Sequence, residues 1–332
     1  MTEHDQWLAQ VREDIVAPEQ AIVDPHHHLW DRPNWRYTVD ELWADTEDGH
    51  NITKTVFLEC GWSYRTEGPE HLYPIGETEY VAAAAARTRE QPDKATIAAI
   101  VARADLRLDN LDEVLDAHET AGQGLFRGIR HAGAHALHPE GMMIPGSAPA
   151  DLYEDPDFQR GVARLGARGY TYDTWQYHYQ MQDFVALAQA VPGTTMVLDH
   201  FSTPLGVGHY AGQREAIFEQ WREDLKAVAG CSNVVAKLGG LAMPDNGFGW
   251  AGSERPPTSD EFVAAQERYY HHAIECFGPE RCMFESNFPV DRLSISYHVL
   301  WNGLKKIASR YSEEEQEALF RGTAERVYRL EG

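Results

Sequence analysis

Cysteine is scarce in this chain. The 332 residues include four, Cys60, Cys231, Cys276 and Cys282. None are spaced as Cys-x-x-Cys, so neither a disulfide framework nor a thiolate zinc site is expected. Basic charge is short as well: 29 Lys and Arg stand against 52 Asp and Glu, a formal net charge of −23. Nucleic-acid binding needs a dense basic surface to displace counterions, so that class is set aside. No uninterrupted apolar run approaches the ~20 residues of a membrane span. The polar start Met1-Thr2-Glu3-His4-Asp5 lacks the apolar stretch of a signal peptide. A cytoplasmic location is the expectation. There is no Gly-x-Ser-x-Gly elbow, which argues against a serine esterase. Acidity of this size favours solubility, and any anionic substrate would have to meet a locally basic pocket.

What is present suits a globular enzyme: 43% of residues are hydrophobic and 24% charged. Short β-like runs recur at 21–24, 55–60, 96–102, 125–130, 169–173, 195–200, 233–238 and 281–286. Between them, 78–89 is alanine-rich, 111–119 and 181–190 are amphipathic, and 261–277 has apolar residues at helical spacing. A closing helix is predicted from about Ser312, an N-cap followed by three glutamates, towards Leu330. Strand alternating with helix eight times predicts a single (β/α)8 TIM-barrel domain over 1–332, its barrel at about 21–330. A doubly wound open sheet shows the same alternation, but no phosphate-binding glycine loop follows the first strand. The stretches 32–50, 131–156 and 244–259 read as irregular insertions at the C-terminal face, a partial lid over the site.

Polar residues gather at the predicted strand ends. In chain order these are His26 and His28, Glu59, Arg103 and Asp105, Arg130, Asp173, His200, Lys237, and finally Glu285 and Asn287. Barrel enzymes draw catalytic groups from many strands at this face. Several of these, Arg103 and Asp105 above all, also read as solvated loop residues. In Asp24-Pro25-His26-His27-His28-Leu29-Trp30, strand periodicity puts His26 and His28 on one face and His27 on the other. Two imidazoles so spaced suit a divalent metal, or an oxyanion and a water. His131, His135 and His138 lie in sequence that reads as a lid with surface histidines, His131 being the one placed to reach the pocket. His271 and His272 read as solvated helix residues. Trp30, Trp62, Tyr64, Trp175 and Tyr177 fall just beyond strand ends and together suggest an aromatic wall for a ring substrate.

Five segments taken in order resemble the amidohydrolase-related (amidohydrolase 2) family. They are the Asp-x-His-x-His opening, Phe126-Arg127-Gly128-Ile129-Arg130, Val197-Leu198-Asp199-His200-Phe201-Ser202-Thr203-Pro204, Lys237-Leu238-Gly239-Gly240-Leu241 and Phe320-Arg321-Gly322-Thr323-Ala324-Glu325-Arg326-Val327-Tyr328. Within that family the likeness is to the sugar-lactonase and 2-pyrone-4,6-dicarboxylate lactonase branch. The resemblance implies a distorted barrel that hydrolyses a small oxygen ester, usually a lactone. It implies His26, His28 and His200 around the reacting carbonyl, and as ligands if one divalent metal, Zn or Mn, is held; a metal-free site is equally open. It makes Arg130 a contact to a substrate carboxylate or carbonyl and Lys237 an active-site cation. Such fixed cations stabilise a developing oxyanion. Glu59, Asp173 and His131, with Trp30, Trp62, Tyr64 and Trp175, complete the expected substrate contacts.

One departure stands out. The family pattern ends strand eight in Gly-Ser-Asp-Trp-Pro, whereas this chain reads Glu285-Ser286-Asn287-Phe288-Pro289-Val290-Asp291. The resemblance makes that Asp the general base, or a ligand in zinc members, and the amide of Asn287 cannot accept a proton from water. Glu285 and Asp291 are equal candidates to replace it, or Asn287 positions the water or substrate. Asn is also the poorer ligand for a divalent ion. The expected function is hydrolysis of a small anionic or ring-containing ester or lactone. The alternatives are a metal-dependent decarboxylase of a ring carboxylate and a non-catalytic barrel that binds a small molecule. A homodimer or homotetramer is open to it.

Overall fold

The computed structural model describes residues 2–33 and 35–330. All eight predicted strand runs are strands: β1 (Ala21–His27), β2 (Asn51–Leu58), β3 (Thr96–Ala102), β4 (Phe126–Arg130), β5 (Thr171–Thr174), β6 (Met196–Leu198), β7 (Val234–Leu238) and β8 (Cys282–Phe284). They follow one another in that order around a single parallel sheet. The ring closes just past β8, where His28 N donates to Phe288 O at 2.8 Å and Asn287 N to His26 O at 3.0 Å. The result is a distorted (β/α)8 barrel.

Strand alternation sorts the apolar residues into two layers. Val23, Val56, Leu58, Ala99, Val101 and Val197 point inward, and Ala324, Val327 and Tyr328 of the last helix plug the bottom of the barrel against them. Their neighbours Ile22, Phe57, Ile100, Met196 and Leu198 point outward under the helices. The interior is therefore apolar below, and its polar residues collect at the top.

The predicted helices lie at Ile75–Arg89, Leu111–Gly122, Met181–Ala190 and Ser259–Phe277. The closing helix is interrupted by a π turn at Ala318–Gly322. Further helices at Pro156–Ala167 and Tyr297–Ala308 start at side-chain caps, Asp155 and Ser296. The stretch 32–50 is not irregular as expected. It completes a hairpin (Trp30–Arg32 with Trp35–Tyr37) and forms a helix, Val39–Thr46, opened by a Thr38/Glu41 capping box. His272, expected in solvent, is buried, with its Nε2 3.0 Å from Arg222 O. Among the described residues no helix is long and apolar enough to cross a membrane.

Candidate active site

Histidines 26, 28 and 200 converge at the top of the barrel. The His26 and His28 Nε2 atoms are 3.3 Å apart, and the His26 and His200 ring centres are 4.5 Å apart. His27 turns the other way, towards Thr55 Oγ1 at 3.0 Å. His200 reaches the site through a left-handed turn: His200, Phe201, Ser202 and Thr203 all have φ between 38° and 59°. Non-glycine residues resist that conformation at roughly 1–3 kcal/mol each, so the surrounding packing must hold it. Gly239 and Gly240 make the room, because a Cβ at Gly240 would collide with His200 Nδ1 and one at Gly239 with Glu285.

The partners set the protons. His28 Nδ1 is 2.8 Å from the Leu58 carbonyl, an acceptor only, so that nitrogen carries the hydrogen. Two donors flank His26, Arg130 Nη1 at 3.3 Å from Nε2 and Lys237 Nζ at 3.4 Å from Nδ1, so the carboxylate beside Nδ1 decides the tautomer and draws the proton there. That nitrogen lies 2.7 Å from Glu285 Oε2, and His200 Nδ1 lies 2.7 Å from Glu285 Oε1. One buried carboxylate therefore spans two imidazoles. Burial holds His26 and His28 well below the usual histidine range and brings His200 down to about 3, so all three rings are neutral. Burial also raises Glu285 to about 8, an effect that Lys237 opposes.

Arg130 is largely engaged, with one Nη2 hydrogen left for the cavity. Its Nε donates to Glu59 Oε1 at 2.8 Å and its Nη2 to Glu59 O at 2.5 Å, while Nη1 sits 3.5 Å from Asp199 Oδ2. Lys237 lies deeper, 3.1 Å from Asp173 Oδ2 and 3.3 Å from Asp199 Oδ1. Tyr328 of the plug donates to the same Asp173 oxygen at 2.5 Å. Lys237 and Asp173, expected to touch substrate, thus form a buried layer beneath the histidines.

Above the histidines opens a cavity of about 520 Å³. Its floor includes His28, Glu59, Arg130, His200 and Asn287, and its walls include Trp30, Trp35, Trp175, Ile144, Met243 and Val290. Trp62 packs on the Trp30–Met243–Val290 wall from outside. Tyr64 sits against the start of the 75–89 helix at Gly76, and Tyr177 is buried, its hydroxyl bonded to Gly146 N and Ile144 O. His131 faces away from the cavity. Its Nδ1 accepts from Leu106 N at 3.2 Å and its ring meets Phe158 edge-on. Asn287, at φ 56°, lines the floor while its Nδ2 donates to Asp291 Oδ1 at 2.9 Å. Asp291 is buried and also accepts from Ala242 N at 3.1 Å, so it secures the loop behind Asn287.

Sequence reasoning passed over Asp199, the fully buried residue between Arg130 and Lys237, although it stands beside His200 in a segment singled out for that histidine. It also passed over Asp245. This carboxylate accepts from Met143 N at 2.6 Å and Ile144 N at 3.0 Å, pinning the cavity roof to the loop after β7.

The buried residues His26, His200 and Glu285 present donor atoms within 4.8 Å of one another, a set that could hold a divalent ion. Glu285, 2.7 Å from both Nδ1 atoms, also stands behind the His26 and His200 rings as an orienting carboxylate, and the Nε2 atoms of His26 and His28 approach each other at 3.3 Å.

The profile of a family described as amidohydrolase matches residues 23–330. The y4mH protein of Sinorhizobium fredii is 31% identical over 334 residues, covering 93% of this chain and 99% of that protein. An L-fucono-1,5-lactonase of Burkholderia multivorans is 30% identical, covering 93% and 96%. A crystal structure of an amidohydrolase from Burkholderia multivorans with bound zinc superposes with a TM-score of 0.73 at 26% identity, covering 94% of this chain and all of that one.

Proposed function

This chain belongs to the amidohydrolase family, and from that premise we propose that the hydrolase it forms opens a small ring ester, a lactone, by attack of water on the carbonyl. The similarity to a lactonase supports the reaction class. The observation that carries it is His200, which lines the cavity while its Nδ1 rests 2.7 Å from Glu285.

Nε2 of His200 takes the proton of the attacking water, and Glu285 stabilises the imidazolium as it forms. Arg130, at the cavity floor, donates to the oxygen that gains charge. Asn287, whose Nδ2 is committed to Asp291, offers Oδ1 to orient the water. When the tetrahedral carbon collapses, the ring C–O bond breaks and the departing alkoxide takes the proton from His200. The product is the open hydroxy acid. The base that the amide of Asn287 cannot supply is thus provided by Glu285 acting through His200.

A divalent cation, Zn or Mn, would be held by His26, His28 and His200, and His200 Nε2 would then be a ligand rather than the base. Bound there, it would supply Lewis-acid polarisation and acidify a water.

The test is proton release from a panel of neutral γ- and δ-lactones. His200→Asn is expected to lower kcat by ~10²–10⁴-fold with the fold intact, the scale of general-base loss. Unchanged turnover would remove His200 from the chemistry.

A further inference from the structure

The Arg130 ion pairs bear on the charge of the substrate. We infer that this cavity selects an uncharged ring ester over one carrying a carboxylate, and that Glu59 is the residue that sets this preference. The inference rests on the proposed reading of the cavity as the lactone site.

An arginine at a cavity floor would ordinarily suit a carboxylate, whose two oxygens match the guanidinium fork. Here the fork is occupied on both sides, leaving one Nη2 hydrogen that can meet a single carbonyl or alkoxide oxygen but not both oxygens of a carboxylate. Glu59 takes Nε through Oε1 and Nη2 through its backbone oxygen, and Asp199 and His26 flank Nη1. Glu59 is 13% exposed at its side chain and itself lines the floor, so an entering anion would meet the Glu59 carboxylate as well as Arg130.

The wider charge balance points the same way. Above about pH 8, where Glu285 is ionised, Arg130 and Lys237 bring two positive charges to the site against four carboxylates, Glu59, Asp173, Asp199 and Glu285, that face them or the histidines. A divalent ion on the histidines would do no more than bring that total to zero. In a site so poorly solvated, a second negative charge near Glu59 is strongly disfavoured. The remaining cation of the lining, Arg32, is exposed at the rim, stacked 4.8 Å from the Trp30 ring centre, where water screens its charge. The walls supply what a neutral ring needs, the faces of Trp30, Trp35 and Trp175.

Glu59→Gln removes the negative charge but keeps a side-chain oxygen for Arg130 Nε. The variant leaves the guanidinium with unbalanced charge facing the cavity, which should admit a carboxylate.

The probes are two non-hydrolysable rings, a δ-lactam and the same lactam bearing one ring carboxylate, titrated by tryptophan fluorescence and calorimetry. Binding of a lactam needs no catalysis, so the charge preference is read apart from the reaction. The wild-type protein is expected to bind the neutral lactam at least ~10-fold more tightly, and Glu59→Gln to shrink or invert that ratio by ~10-fold or more, about 1.4 kcal/mol. Equal or tighter binding of the carboxylated lactam by the wild type overturns the inference while leaving the lactone reading standing, and needs no folded variant. Binding of neither ring overturns both. A ratio unmoved in a folded Glu59→Gln protein removes Glu59 as the determinant.

Discussion

Replacing Glu285 by glutamine probes the group that holds two imidazoles of the candidate site at once. Each Nδ1 lies 2.7 Å from its own carboxylate oxygen. An amide offers a single oxygen, so it keeps one contact and presents an N–H donor to the other ring. That ring must then move its proton to Nε2, where His26 would face the Arg130 donor and His200 would lose its lone pair to the cavity. A hydrogen bond to a charged group contributes ~1.5–3 kcal/mol, and ~1.4 kcal/mol is one decade of rate. Loss of one contact alone gives ~10–100-fold; loss of the base function as well brings the expected fall in kcat to at least ~10²-fold. KM for a neutral lactone should move much less, because Glu285 is fully buried beneath the cavity. The pH profile adds a second signature. Burial raises Glu285 to about 8, so the carboxylate is protonated as pH falls through that value. Wild-type kcat should therefore decline below about pH 8, and the variant should lack that limb. Initial rates by proton release between pH 6 and 9, with circular dichroism as the folding control, make the measurement. A folded Glu285→Gln enzyme with wild-type kcat and an unchanged acid limb would refute the reasoning.

Three further outcomes follow from the same geometry. Asn287→Asp restores the family residue but sets a second carboxylate against Asp291 Oδ1, which now accepts from the Asn287 amide. Burial already holds Asp291 well above the usual range. Both oxyanions resist ionising together, so the penalty grows as pH rises, and thermal melts should show the variant less stable than wild type at pH 8 by ~1–3 kcal/mol, with a smaller gap at pH 5.5; no pH-dependent gap would contradict the pairing. Asp245→Ala frees Met143 N and Ile144 N without touching the floor, so kcat/KM should fall through a higher KM, while an unchanged KM would show that the roof needs no strap. Zinc added to chelator-treated protein at ~100 times its dissociation constant should raise stability by ~2.7 kcal/mol, and a His26→Ala/His28→Ala variant should not respond; a wild-type protein indifferent to Zn and Mn would remove the ion from the account.

Strand periodicity made most of the fold and half of the site legible. Period two placed His26 and His28 together, and the pairing survives a register shift between Asp24 and His27. The same rule, applied to Arg130, sends its neighbour His131 outward to Phe158, a consequence the lid-like sequence around it concealed. Lys237 does face inward, yet it lies one layer below the cavity, and depth along the barrel axis has no sequence signal. Asp199 was hidden for a related reason: its role comes from Arg130 and Lys237, on strands distant in sequence. Glu285 was visible as a carboxylate on the right strand, but not as a bridge between two histidines, which depends on the left-handed turn at His200 and the space left by Gly239 and Gly240. The hairpin and helix within 32–50 went unread although the Thr38/Glu41 capping box was there to be found. The roof strap joins Asp245 to residues about a hundred positions earlier, a contact only the folded chain makes.

The most direct test of the central claim is a parallel assay on the wild-type enzyme, with proton release from neutral δ-lactones in one arm and CO₂ release from ring carboxylates in the other. The account expects lactone opening with one proton and one hydroxy acid formed per ring, and no CO₂. Decarboxylation of a ring carboxylate by a protein that leaves every lactone intact would contradict it.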